Sequence, residues 1–187
     1  MKVYQTGEIR NIGIAGHSGA GKTSLLELML YNSGFTSRPG KVEDGTATLD
    51  FDAEEKKRKV SVSTAVYQME SADKKINIID APGYLGFVGE EMEAIRVADS
   101  GIIVVDAKSG IEVGTELAWD MAEKEGIPKA FFINNFDDPE ARFYKVFGAI
   151  REKYGVNVCP VQIPLIDGDK VIGFVNLVRQ KVYTFES

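Results

Sequence analysis

Gly16-His17-Ser18-Gly19-Ala20-Gly21-Lys22-Thr23 fits the pattern G-x-x-x-x-G-K-[ST] of a phosphate-binding loop, and its flanks have the required character. Ile9 to Ala15 before it is a short apolar-rich run that reads as a buried strand. After it, Leu25, Leu26, Leu28, Met29 and Leu30 follow helical spacing, and Gly34 lies just past the expected helix end. Glycines let successive N–H groups converge on one concavity, and the helix N-terminus adds positive potential there. Gly16 to Thr23, with Ser24, are therefore expected to cradle phosphates. Lys22 reaches the β- and γ-phosphates and the Thr23 hydroxyl ligates Mg²⁺. This stretch indicates a nucleotide without saying which one.

The chain has 187 residues, long enough for one α/β domain with a substantial core. Its formal charge of −6 opposes non-specific binding to DNA, which needs a surface that neutralises phosphates. A single cysteine, Cys159, excludes an intramolecular disulfide and is expected to be a small core residue. No apolar run approaches the roughly 18 residues of a membrane-spanning helix, and Met1 to Gln5 does not open a signal peptide. A cytoplasmic protein without a membrane partner is expected.

Outward from the loop, Gly34 to Leu49 lacks periodicity and is expected to be a mobile connection. The charge-dense Asp50 to Lys59 reads as a solvated short helix or loop. Val60 to Tyr67 alternates with period two, and Ile76 to Ile79 follows a turn around Ser71 to Lys75, so these two strands are expected to pair as a hairpin. Strand and helix then alternate. Val88, Met92 and Ile95 mark one helix face, and Ile102 to Val105 is a strand. Val113 to Glu125 is a helix stopped by Gly126, and Ala130 to Ile133 is another strand. Asp138-Pro139 offers an N-cap to a helix whose stripe is Phe143, Phe147, Ile150 and Tyr154. This order specifies a mixed, mostly parallel sheet with helices on both faces, the P-loop NTPase architecture, with its ligand crevice beyond the carboxyl ends of the strands. The division expected is residues 1–157 as that domain and 158–187 as the start of a β-rich insertion. In the latter, Asn157 to Val161 and Val171 to Val178 read as strands joined through Asp167-Gly168-Asp169.

Two further motifs stand at strand ends. Asp80-Ala81-Pro82-Gly83 has the form D-x-x-G: the Asp can hold Mg²⁺ and the Gly lets a backbone N–H approach a γ-phosphate. Taken alone it is a common turn composition. Asn134-Asn135-Phe136-Asp137 is near N-K-x-D, in which the carboxylate accepts hydrogen bonds from guanine N1–H and the 2-amino group. Asn135 in place of Lys removes the aliphatic stem that packs over the base. Without the other motifs, this cluster is a loop and helix cap.

The ordered set G-H-S-G-A-G-K-T, R-K-V-S-V, D-A-P-G-Y and N-N-F-D resembles the GTPase domain of translation elongation factor G and its paralogues, over nearly the whole chain. Gly110 to Glu116, Phe143 to Val146, Pro160 to Pro164 and Gly173 to Leu177 add to the likeness. The resemblance implies GTP and GDP as substrate and product, Mg²⁺ as cofactor and the ribosome as partner of the full-length protein. It places Arg58 to Val62 in switch I, with Ser61 as a Mg²⁺ ligand beside Thr23 and Asp80, and Asp80 to Tyr84 in switch II. Lys22, Gly83 and Tyr84 become the catalytic positions, and Asn134 and Asp137 the guanine contacts.

Several positions depart from the family pattern. Lys59 replaces Gly and Ser61 replaces Thr. Gly19 stands where many translational GTPases carry an Asp. Tyr84 stands where elongation factor G has the His that orients water, and a phenol is a poor base at neutral pH. His17 is expected to pack rather than catalyse. The family's guanine-closing S-A-[LKF] element does not occur, so a fragment is expected, and it is expected to be monomeric. The leading expectation is a GTP-hydrolysing switch. The alternatives are a nucleotide-binding or interaction module with weak turnover and, third, an ATP-dependent P-loop enzyme.

Overall fold

The computed structural model describes residues 3–168 and 170–185. The chain divides into two compact units, Met1–Val105 with Glu112–Phe132, and Asp106–Ile111 with Ile133–Ser187.

The first unit is organised by β1 (Ile9–Ala15), which lies parallel to β3 (Lys74–Asp80) on one side and to β4 (Ser100–Asp106) on the other. β2 (Ala65–Ser71) pairs antiparallel with β3 at the sheet edge, and β5 (Lys129–Asn134) follows β4, giving the order β2-β3-β1-β4-β5. The β2–β3 hairpin turns through Ala72 and Asp73, both at positive φ, as a two-residue turn matching strand twist requires. Successive strand residues point to opposite faces, yet Gly13, Ile14 and Ala15 are all buried, as are Ile78 to Asp80 and Ile103 to Val105. Both faces are therefore covered. On one face Ile14, Ile78 and Val104 cluster with Leu26 and Leu30 of α1 (Lys22–Asn32). On the other, Gly13 gives room to Ala94 and Ile95 of α3 (Val88–Arg96) and to Ala98. Each such enclosed Leu or Ile contributes about 1.5–3 kcal/mol. α4 (Val113–Lys124) packs beside α3.

Four local expectations change. The strand expected over Val60 to Tyr67 begins only at Ala65, because residues 60–64 are drawn into side-chain bonds described below. α3 buries Glu91, Ala94 and Ile95, whereas Val88 and Met92 are both exposed, so the inward stripe is shifted by a polar residue. The charge-dense run forms α2 (Ala53–Arg58), capped by Asp52, but it is not simply solvated: Glu55 is fully enclosed. Gly34 to Leu49 is tied down at its far end, with Ala47, Leu49 and Asp50 buried.

The second unit holds α5 (Phe143–Tyr154) and an antiparallel sheet of β6 (Gln162–Asp167), β7 (Lys170–Asn176) and β8 (Lys181–Thr184) in that order. Phe143, Val146 and Ile150 are the buried stripe of α5, and Phe136 packs on Phe143 and Phe174. Asp138-Pro139 does not cap α5. Arg142 holds that position, and the Asp138 carboxylate instead accepts the Glu140 N–H at 2.8 Å in a preceding turn. Asn157 to Val161 is irregular and the strand starts at Gln162; of the turn Asp167-Gly168-Asp169, Asp169 lies outside the described residues. Cys159 is exposed, contrary to the core position expected, because the segment carrying it belongs to no strand.

Candidate nucleotide site

The loop after β1 turns sharply because three glycines take positive φ: 133° at Gly16, 83° at Gly19 and 90° at Gly21. Gly16 is further constrained by contact, since a Cβ there would overlap the Val104 carbonyl oxygen of β4. Ala20 N–H closes the turn on the His17 carbonyl at 3.3 Å. Gly21 is the left-handed N-cap of α1, and having no side chain it leaves the first N–H groups of the helix uncapped by its own atoms. Ser18 lies within the turn, and Ser24 is exposed in the first helical turn.

Lys22 folds back into this loop. Its Nζ donates to the carbonyls of Gly16 at 2.9 Å and His17 at 3.0 Å. Burial pushes its ammonium below the usual range, against the opposing pull of Asp80 and Glu91. Gly83 lies directly over it, and a Cβ at Gly83 would overlap both Lys22 Nζ and Gly16 O. His17 is oriented by α4: Nδ1 accepts the Gly114 N–H at 3.2 Å, and Nε2 is 3.5 Å from Glu112 Oε1.

The structure brings together Thr23, Ser61 and Asp80. Thr23 Oγ1 donates to Asp80 Oδ2 at 2.9 Å and lies 3.2 Å from Ser61 Oγ, which donates to Asp50 Oδ1 at 2.7 Å. Asp80 Oδ1 is buried and has no hydrogen-bond partner among the described residues. Burial raises the Asp80 carboxyl to about 7, against the Thr23 hydrogen bond and the Lys22 charge. Asp50 is also raised, again mainly by burial. An acidic oxygen left without a donor, beside two hydroxyls and a second carboxylate, is a donor set that suits a hard, oxygen-preferring cation such as Mg²⁺.

Three carboxylates absent from the sequence expectation hold backbone N–H groups of the surrounding segments. Glu27 of α1 is fully enclosed; its Oε1 accepts Thr48 N–H at 2.6 Å and Leu49 N–H at 2.9 Å, and its Oε2 accepts Gly40 N–H at 3.1 Å. Glu55 accepts Val62 and Ser63 N–H through Oε1 at 2.9 and 3.1 Å, and Asp52 N–H through Oε2 at 3.0 Å, so it ties the backbone just after Ser61 to the N-terminus of α2. Glu91 accepts the Gly16 N–H at 3.1 Å, in the protein interior. The available signal was an acidic residue on an otherwise apolar face, at Glu27 and Glu91. Glu55 was hidden within a charged run.

Tyr84 is 58% exposed, its ring 6.0 Å from that of Phe87. In the second unit, Asn134 ends β5, and Asp137 is exposed in the turn that follows, where Asp138 N–H bonds the Asn135 carbonyl at 3.3 Å.

A family model described as "Elongation factor Tu GTP binding domain" matches residues 7–184. The chain belongs to this family. Among curated proteins, this GTP-binding domain is 39% identical over 178 residues to "Elongation factor G 2" of Syntrophus aciditrophicus and 37% identical over 182 residues to "Elongation factor G" of Chlamydia caviae. The alignments cover 95% and 97% of the chain but 26% of each relative, so the domain spans about a quarter of their length. A crystal structure of a Thermus thermophilus protein superposes with a TM-score of 0.90 at 36% identity, covering 96% of this chain and 27% of that one. The fold is that of a P-loop GTPase domain, with the second antiparallel sheet at its C-terminal end. No helix among the described residues is long and apolar enough to cross a membrane.

Proposed function

We propose that this domain binds GTP and GDP with Mg²⁺ and hydrolyses GTP, as the nucleotide switch of an elongation-factor-G-like protein that acts on the ribosome in the cytoplasm. The observation that supports the reading most directly is the Thr23–Asp80–Ser61 cluster beside Lys22, with Asp80 Oδ1 buried and unpartnered. Residues 16–24 would wrap the phosphates with N–H groups, and Lys22 would exchange the Gly16 and His17 carbonyls for β- and γ-phosphate oxygens. Thr23, Ser61 and Asp80 would hold Mg²⁺, which when bound neutralises charge on those oxygens. Asn134 and Asp137 would read guanine, the Asp137 carboxylate accepting from N1–H and the 2-amino group.

In hydrolysis a water oxygen forms a bond to the γ-phosphorus as the bond to the β–γ bridging oxygen breaks. The electron pair leaves on GDP, and the water proton ends on the released phosphate. Lys22 stabilises the charge that grows on the leaving oxygen, and the Gly83 N–H can approach a γ-oxygen. Tyr84 can orient the water by a hydrogen bond but is not suited to removing its proton. We read residues 1–157 as the GTPase domain and 158–187 as the beginning of an inserted subdomain, the domain being monomeric and without affinity for DNA at large.

Titration of GDP in the presence of Mg²⁺ tests the site: binding at micromolar or tighter concentration that Lys22→Ala weakens is expected, and undetectable binding overturns the reading. Single-turnover phosphate release by the full-length protein with ribosomes tests hydrolysis. A second reading, a switch that binds but turns over slowly, is favoured by the exposure of Tyr84. If it holds, Tyr84→His accelerates phosphate release while GDP affinity is unchanged.

A further inference from the structure

In the loop that follows β5, Asn135 is not simply a missing lysine. It sits at φ 62°, in the left-handed region that Asn tolerates better than most residues, and its side-chain Nδ2 donates to Asp106 Oδ2 at 2.6 Å. Asp106 is the last residue of β4, and its other oxygen accepts the N–H groups of Lys108 at 2.9 Å and Ser109 at 2.7 Å. One carboxylate thus ties together the turns that leave β4 and β5. The backbone repeats the link: Ala107 N–H donates to the Asn134 carbonyl at 2.9 Å, and Arg142 N–H to the Ala107 carbonyl at 2.9 Å. The same β4 turn sends Lys108 to the far side of the loop, where its Nζ pairs with Glu140 and lies 3.6 Å from Asp138 Oδ2. Asp137 therefore stands between two anchors, Asn135 and Asp138, that both run back to residues 106–108.

We propose that Asp106, acting with Asn135 and assisted by Lys108, is a positioning device for the base-reading carboxylate of Asp137, and so sets guanine selectivity in a loop that lacks the usual lysine. This rests on Asp137 being the guanine contact. Asp106 does not touch the base. It fixes the loop carrying the carboxylate, and a carboxylate held in one place discriminates by geometry because a ligand lacking its donors leaves it unpaired.

The test compares GDP with inosine diphosphate, which lacks the 2-amino group that Asp137 would read, by calorimetric titration with Mg²⁺. In the parent protein GDP binds more tightly, and Asp137→Ala removes that preference. Asp106→Ala and Asn135→Ala are each expected to shrink the GDP-to-inosine-diphosphate affinity ratio, and the double variant to do no more than either alone, a coupling of at least about fivefold. Lys108→Ala shrinks the ratio less, and Lys108→Arg restores it. General destabilisation lowers both affinities together and leaves the ratio intact, so a preserved ratio in Asp106→Ala and Asn135→Ala overturns the proposal. Should Asp106→Ala fail to fold, the half-buried Asn135 and the exposed Lys108 carry the same comparison. If Asp137→Ala leaves the ratio unchanged, the guanine assignment itself fails, and the positioning role fails with it.

Discussion

The Glu91 carboxylate, carried by α3, accepts the Gly16 N–H at 3.1 Å inside the first unit, 75 residues away along the chain. Gly16 opens the phosphate loop, and its carbonyl is in turn held by Lys22. Gly16 is thus held at both its N–H and its carbonyl, by a carboxylate of α3 and by the lysine expected to meet phosphate. Burial raises the Glu91 carboxyl, opposed by the Gly16 N–H and by Lys22, so the group stays tuned to its neighbours. Glu91→Ala strands a buried N–H and is expected to destabilise the domain by about 1–3 kcal/mol in urea unfolding. Glu91→Gln, which can still accept the bond, costs less. Equal losses for the two variants would show that charge, and not the hydrogen bond, is what matters there.

Asp80 gives a pH dependence of definite sign. Its folded-state value, about 7, lies above the ordinary carboxylate value of 3.8. Its contribution to stability is therefore fully present below 3.8 and is lost as the pH rises from there through about 7. A cation bound to the ionised form reverses this, since it must displace the proton. Stability measured without Mg²⁺ is expected to fall across that range, with added Mg²⁺ stabilising more at pH 8 than at pH 6, and Asp80→Asn is expected to flatten both trends. A wild-type profile identical to that of Asp80→Asn would show that burial does not control this carboxyl.

Glu55 holds the two N–H groups that follow Ser61 and that of the α2 N-cap, so its removal is expected to act locally before it acts globally. Glu55→Ala should speed amide hydrogen exchange at Asp52, Val62 and Ser63 and lower stability by about 2–4 kcal/mol. Glu55→Gln keeps acceptor capacity for part of the set and is expected to be milder. Unchanged exchange at Val62 and Ser63 would contradict the role assigned to the carboxylate.

Gly83 lies against Lys22 Nζ and Gly16 O, where a methyl group cannot be placed without moving backbone. Gly83→Ala is expected to slow phosphate release by at least about tenfold while changing GDP affinity less, if the Gly83 N–H serves the γ-phosphate as proposed. Parallel losses of GDP binding and phosphate release would place the effect in the phosphate loop instead.

Asp106 titrates on the opposite side. Burial favours its neutral form, but the N–H groups of Ser109 and Lys108 and the Asn135 side chain outweigh it and hold the carboxyl below its ordinary value of 3.8. The stabilisation is present above that value and is lost as the pH falls through the lower, folded-state one. Thermal melts between pH 5 and pH 2 should show a steeper decline for the parent protein than for Asn135→Ala, which gives up one of the four supports, the Ser109 side chain being the fourth.

The chain order of motifs and the alternation of strand and helix were legible from residue identity alone, because glycine spacing, apolar runs and turn residues act over a few positions. Gly16 to Thr23 after one apolar run and Asp80 after another sufficed to place a phosphate loop and a D-x-x-G element at strand ends. Ser61 as a partner of Thr23 and Asp80 came from family likeness, not from spacing. What no local pattern could reveal was which polar residues turn inward. Glu27, Glu55 and Glu91 are written into the sequence as ordinary helix carboxylates. Only the folded chain lays unpaired backbone N–H groups against them, and a buried N–H must find an acceptor wherever the chain happens to bring one. For the same reason, residues 60–64 give up the strand their alternation suggests, since Glu55 and Glu90 claim the N–H groups that a ladder would have used. Short-range residue patterns thus specified the architecture and the chemical class of the site, whereas long-range satisfaction of buried polar groups settled how that site is held.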